Sequence, residues 1–195
     1  MLNIVIFGAP GSGKGTQSER LAARYGLLHI STGEVLREHI ARRTKLGIIA
    51  DSYISKGQLI PDDLMIKVLA SVLDNEPTAA QSGVIFDGFP RTIPQAKALK
   101  LMMEEHNSKV HAVIGLEVDE NCLMQRMLLR GQQEGRADDN EETIKQRLAV
   151  YHQQTSPLRE YYIAAGKYCG IDANGSIDDI FARIARAIDA LPNLK

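Results

Sequence analysis

A chain of 195 residues, 44% hydrophobic and 24% charged, is sized and composed for one globular domain with a substantial core and room for small inserted lobes. Its net charge of −1 provides no broad basic surface for a nucleic-acid backbone, so any anion has to be met by local groups of Arg and Lys. No apolar run reaches the length needed to span a bilayer.

The first element is a β-branched, nearly all-apolar run, Leu2 to Phe7, that ends at Gly8 and predicts a buried strand. A glycine-rich turn leads into a helical pattern over Lys14–Tyr25, closed by Gly26 as a C-cap. A weaker strand signal follows at Leu28–Ile30. Residues 31–60 carry two short helical patterns with no strand between them and so predict a separate lobe; Ser31 with Glu34 has the spacing of a capping box, and Gly57 reads as a C-cap. Pro61 followed by Asp62 and Asp63 opens a helix running to Leu73. Further strands are predicted at Val84–Phe86 and Val110–Leu116. A polar, glycine-bearing loop is expected over 130–140, between Met124–Leu129 and a helix starting near Glu141. The last helix shows Ile177, Ile180, Phe181, Ile184 and Ile188 on one face, capped by Ser176 and Asp179. Apolar strands alternating with helices predict an α/β fold with a mainly parallel sheet covered on both faces.

Cys122 and Cys169 are widely separated and form no CxxC pair, so neither a disulfide framework nor a zinc site is expected. The five histidines show no ligand spacing. The N-terminus carries neither a basic region nor a cleavage signal, which makes the cytoplasm the expected compartment.

The strongest chemical signal is Gly8-Ala-Pro-Gly-Ser-Gly-Lys-Gly-Thr16, lying between a predicted strand and a predicted helix. That is the context of a P-loop: Gly11, Ser12 and Gly13 allow backbone N–H groups to converge on phosphate, the helix N-terminus adds positive potential, and Lys14 follows the β- and γ-phosphates as a point charge. The general pattern sets Ser or Thr directly after the Lys, for Mg²⁺; here Gly15 stands there and the hydroxyl comes one place later, on Thr16. Mg²⁺ is therefore expected to sit mainly on nucleotide oxygens and water, with Asp87, at the end of the third apolar strand, as a partner through water and no direct protein ligand.

A P-loop does not choose between GTPase, ATPase and kinase, but other motifs do. Gly8–Gln17, Ser31-Thr-Gly-Glu-Val-Leu-Arg37, Gly57-Gln-Leu-Ile-Pro-Asp62, Phe86-Asp-Gly-Phe-Pro-Arg91 with Gln95, and Gly135-Arg-Ala-Asp-Asp-Asn140 with Arg147 together resemble the adenylate kinase family, over essentially the whole chain. The resemblance implies a P-loop NTPase fold, a five-stranded parallel sheet flanked by helices in one core domain (1–195), with an AMP-binding lobe inserted at 31–60 and a short lid at 129–139. It implies reversible, Mg-dependent phosphoryl transfer between ATP and AMP, giving two ADP, by a monomer.

On that resemblance Thr32 and Gln95 lie at the AMP base, Arg37 and Arg91 hold the AMP phosphate, and backbone at Gln58, Leu59, Ile60, Gly88, Phe89 and Pro90 lines the AMP site. Residues Gly11 to Thr16 hold ATP phosphates, Arg126 or Arg130 covers the ATP adenine, and Gly175 offers it a backbone contact. Arg136 and Arg147 reach the phosphoryl group in transit, with Lys14 and Arg91 completing the catalytic set. Asp138 and Asp139 are either contacts to Arg136 or a polar turn.

Two departures stand out: Glu34 replaces the Asp usual in the family, and the short lid lacks the four-cysteine cluster with which longer-lid relatives bind zinc. The nearest rival reading is a UMP/CMP kinase, which typically has Ala at the place of Thr32 and Asn at that of Gln95. A non-catalytic nucleotide-binding module would be expected to lack Lys14 or the arginines. A P-loop GTPase would need an Asn-Lys-x-Asp motif that this chain does not contain.

Overall fold

The computed structural model describes residues 1–75 and 83–191. Its strands are β1 Ile4–Gly8, β2 Leu28–Ser31, β3 Val84–Asp87, β4 Ala112–Glu117 and β5 Tyr168–Asp172. The helices are α1 Lys14–Tyr25, α2 Thr32–Ala41, α3 Lys45–Ile54, α4 Asp62–Asn75, α5 Ile93–Glu105, α6 Glu120–Glu134, α7 Glu141–Val150, α8 Leu158–Ala164 and α9 Ile177–Asp189, with a π-helical turn at Tyr151–Thr155. The strands form one sheet in the order β2-β3-β1-β4-β5, and every neighbouring pair is parallel.

Alternation along the strands sorts the core into two layers. Ile4 and Ile6 pack with Ile85 and Ile114 against Leu21 of α1 and Ile180, Ile184 and Ile188 of α9. Val5 and Phe7 pack with Phe86 and Val113 against Leu69, Leu99 and Leu158 of α4, α5 and α8. With helices on both faces, the central strand can be apolar throughout, and all five residues of β1 are buried. A third cluster, Ala9, Leu123, Met127, Ile144 and Leu148, supports the turn after β1 from below. Register brings Ile6 and Ser31 level with Asp87, so the carboxyl ends of β1, β2 and β3 open on the same side. In open parallel sheets, that end is where ligands bind.

Several local signals act as read. Gly26 closes α1 in the left-handed region, Ser31 accepts from the Glu34 N–H, and Ser176 accepts from the Asp179 N–H while donating to its carboxylate. Residues 31–60 hold α2 and α3, packed on each other without an intervening strand. Four elements differ from the residue pattern or were missed by it. β5 is an edge strand in which only Ile171 is buried, so Tyr-Cys-Gly-Ile-Asp carries no apolar run to announce it. α5 and α8 follow no predicted segment. The polar loop expected over 130–140 is shorter: α6 runs on through Gln132, Gln133 and Glu134, good helix formers, until Gly135 at φ 66° ends it with its N–H on the Gly131 carbonyl.

Candidate functional site

The turn after β1 is shaped by glycine. Gly11 has φ +81°, and a Cβ there would lie 2.9 Å from the Leu123 carbonyl oxygen and from Met127 Cγ, so backbone passes where a side chain cannot. Gly13, also left-handed, is the N-cap of α1, whose first turn holds no acidic residue to compete for its positive end. Lys14 Nζ donates to the carbonyls of Gly8 and Ala9, both at 2.9 Å.

A cavity lies beside this turn. Lys14, Thr32, Arg37, Gln58, Leu59, Ile60, Gly88, Pro90, Arg91, Gln95 and Arg147 line it together with Asp138. Gly88 is needed for close approach: its φ is +79°, and a Cβ would meet the Thr32 hydroxyl at 2.8 Å. The Arg91 Nε donates to the Gly88 carbonyl at 2.8 Å. Thr92 caps α5 through the Gln95 N–H, which sets both Arg91 and Gln95 at the helix start facing the cavity.

Burial lowers the Lys14 pKa to about 7; Asp87 opposes the shift, and the charges of Arg91, Arg147 and Arg130 reinforce it. Burial and the neighbouring Arg147 charge bring Arg91 down to about 10. Burial lowers Arg37 too, reinforced by the Arg136 charge, and burial lowers Arg147 against the opposing charges of Asp138 and Asp139. Cations this crowded repel one another, and a polyvalent anion is what would relieve them. Asp87 is a counter-charge close to Lys14. Burial alone would raise its pKa, but a contact with His29 (3.5 Å) and the Lys14 charge hold it below the usual carboxylate range.

A second charge cluster clamps α6 to α7. The fully buried carboxylate of Asp139 accepts from Arg130 Nε at 2.6 Å, Arg130 Nη2 at 2.9 Å and Arg147 Nη1 at 2.6 Å, while Asp138 pairs with Arg147 at 2.9 Å. Asp138 and Asp139 therefore serve Arg130 and Arg147, whereas Arg136 pairs with Glu134. Burial pushes the Asp139 carboxyl up, but the Arg130 hydrogen bond and both arginine charges outweigh it and leave the pKa low. The stability this contributes is complete above the ordinary carboxylate range and is lost as pH falls through the lowered value. Asp139→Asn is expected to cost roughly 2–3 kcal/mol in denaturant unfolding at neutral pH, somewhat less than for a fully buried pair because both arginines keep some contact with water. It should also flatten the acid side of the stability profile.

Not every expected residue meets this cavity. Phe89, expected to contribute backbone, is buried in the core cluster that holds Leu69 and Leu99 and is not among the residues that line it. Gly11, Ser12, Gly13, Gly15 and Thr16 belong to the turn and the start of α1 beside it. Arg126 and Arg130, indistinguishable by spacing, are separated by their partners. Arg130 is held by Asp139, while Arg126 donates to the Ala173 carbonyl at 3.3 Å, at the loop that carries Gly175. That loop is held by Arg183, which donates to the carbonyls of Asp172 and Asn174. The residue pattern missed the apolar and π-helical wall formed by Leu36, Ile54, Met65, Val150, Tyr151 and Thr155. It also missed the His29–Asp87 contact. Neither has a local sequence signature.

Among the described residues no helix is long and apolar enough to cross a membrane, and no three His, Cys, Asp or Glu side chains gather as a metal-binding group. The residues do fit a hydrated Mg²⁺ beside bound phosphate. Asp87 is kept ionised, and Gly15 leaves its carboxylate uncrowded, since even a Cβ there would be 3.7 Å from Oδ2.

Comparison with known proteins matches residues 6–167 to the adenylate kinase family. The chain is 58% identical to an adenylate kinase of Bacteroides fragilis over 98% of this chain and all of the other. It is 57% identical to one of Parabacteroides distasonis, over 97% of this chain and 98% of the other. It is 49% identical to one of Porphyromonas gingivalis, over 97% and 96%. A glycine-built turn ahead of α1, a group of cations on the adjoining cavity and similarity over nearly the whole chain all agree: the chain belongs to the adenylate kinase family.

Proposed function

We propose that this chain transfers a phosphoryl group reversibly between ATP and AMP, forming two ADP. The observation that carries the reading is the meeting of Lys14, Arg37, Arg91 and Arg147 around one cavity whose walls also hold Thr32 and Gln95. Phosphoryl transfer needs in-line positioning and cations around the equatorial oxygens more than it needs a covalent catalyst.

In this reading the turn Gly11–Thr16 holds ATP phosphates on backbone N–H groups and the α1 N-terminus. Arg126, beside Gly175, covers the ATP base, and Arg130 stands nearer the phosphates. Arg37 and Arg91 grip the AMP phosphate with planar paired donors, while Thr32 and Gln95 address its base. Arg147, with Arg136 brought in by the segment 129–139 acting as a lid, neutralises charge on the group in transit. Residues 31–60 act as the AMP-binding lobe. The AMP phosphate is already ionised at neutral pH, so no general base is required of the chain. Closure of the two lobes excludes water, which would otherwise accept the phosphoryl group. Asp87 would hold Mg²⁺ through water. When bound, the ion draws charge from the β- and γ-phosphates and eases departure of the leaving oxygen. We place this activity in a monomer working in the cytoplasm, with small nucleotides as its partners.

The test is a coupled assay with MgATP and each nucleoside monophosphate in turn. AMP is expected to be the preferred acceptor, with ADP the product on both sides. Faster turnover of UMP or CMP would overturn the acceptor assignment.

A further inference from the structure

Gln95 is buried, yet it lines the cavity, so at most one face of its amide can meet a ligand. The opposite face is fully engaged. Gln95 Oε1 accepts from the Arg91 backbone N–H at 2.8 Å, and Gln95 Nε2 donates to Asp62 Oδ1 at 2.8 Å. The Thr92 hydroxyl donates to the same Asp62 oxygen at 2.9 Å, while its own oxygen accepts from the Gln95 N–H at 3.3 Å. Asp62 belongs to the first turn of α4, a part of the fold remote in sequence from Gln95.

These partners decide which end of the amide is which. A backbone N–H can only donate, and a carboxylate can only accept. Turning the amide over would set its oxygen against the Asp62 carboxylate and its NH₂ against the Arg91 N–H, losing two part-buried hydrogen bonds and creating two repulsions. One Oε1 lone pair and one Nε2–H remain to face the cavity, in a fixed order.

We propose that Asp62 is a specificity-determining residue: by locking the Gln95 amide it makes the acceptor site read a base edge that offers an amino donor beside a ring-nitrogen acceptor, and reject the reverse. Adenine has that edge, a 6-amino group next to N1. Hypoxanthine, nearly the same shape, has a 6-oxo acceptor next to N1–H, and so meets the locked amide donor to donor and acceptor to acceptor. The proposal rests on AMP as acceptor and on Gln95 facing its base, and it assigns the choice between these purines to a side chain that touches neither.

Asp62→Asn tests it. Asparagine can present either an oxygen or an NH₂ group, so a flipped Gln95 loses the carboxylate's veto. Turnover is measured with MgATP and either AMP or inosine monophosphate. The wild-type ratio of kcat/KM should favour AMP strongly, and Asp62→Asn should reduce that ratio by about tenfold or more, with KM for AMP rising and kcat/KM for the inosine nucleotide increasing. Asp62→Ala, which removes the acceptor altogether, should move the ratio the same way. In a Gln95→Ala background, adding Asp62→Asn should leave the ratio where it was. A merely structural role would lower both substrates together; an unchanged ratio in folded Asp62→Asn and Asp62→Ala overturns the proposal, as does a shift that persists without Gln95. If the wild-type chain does not use AMP at all, the acceptor assignment itself has failed. If it does, and the ratio stays put, only the role of Asp62 has.

Discussion

Replacing Lys14 with methionine is expected to lower kcat by about 100-fold or more, because it removes the ammonium that, in the proposed mechanism, follows charge from the β- to the γ-phosphate. Loss of a single preorganised donor to a developing anion commonly costs about 10²–10³ in rate, and here that donor also carries a full charge. The fold should survive. Methionine keeps most of the aliphatic stem, and the charge removed is one that burial and the nearby arginines already disfavour, enough to bring its pKa down to about 7. Circular dichroism should therefore show a melting temperature equal to or above that of the parent, while a coupled assay shows the loss. Near-normal turnover would remove Lys14 from the catalytic set.

Arg91→Ala is expected to cost about 100-fold or more in kcat/KM, with a raised KM for AMP and little change in that for ATP. Arg91 is held at the start of α5 by its Nε bond to the Gly88 carbonyl, which leaves the rest of the guanidinium for an acceptor phosphate. Its backbone N–H, which orients Gln95, is retained in the variant, so the base-reading side of the cavity should be little disturbed. Arg91→Lys should recover only part of the loss, since an ammonium lacks the planar paired donors that match phosphate. Steady-state kinetics with each nucleotide varied in turn separate these effects. An equal rise in KM for both nucleotides would argue that Arg91 supports the fold of the site and not the acceptor.

How much could be read from residues alone depended on how local the physics was. The turn from Gly8 to Thr16 was legible because its left-handed positions, Gly11 at φ +81° and Gly13 at φ +92°, favour glycine within one contiguous stretch. The buried strands β1, β3 and β4 were legible because full coverage makes them apolar along their whole length. β5 was not, since an edge position relaxes that demand and leaves only Ile171 buried. Arg126 and Arg130 share a helix face and looked equivalent, and only the tertiary partners, Ala173 and Asp139, set them apart. Glu34 has nothing in its surroundings beyond its place in the first turn of α2 to explain its extra methylene. The Asp62–Gln95 contact joins two helix starts across 33 positions, and no spacing rule anticipates it.

Beneath all of these lies one physical claim, that cations on a single cavity hold two phosphate chains end to end. Equilibrium titration of the wild-type chain, at saturating AMP, with a non-transferable MgATP analogue whose β,γ-bridging oxygen is replaced by NH tests this most directly. The account predicts one molecule of each bound at the same time, with neither displacing the other. Mutual displacement, with one nucleotide per chain at saturation, would contradict it.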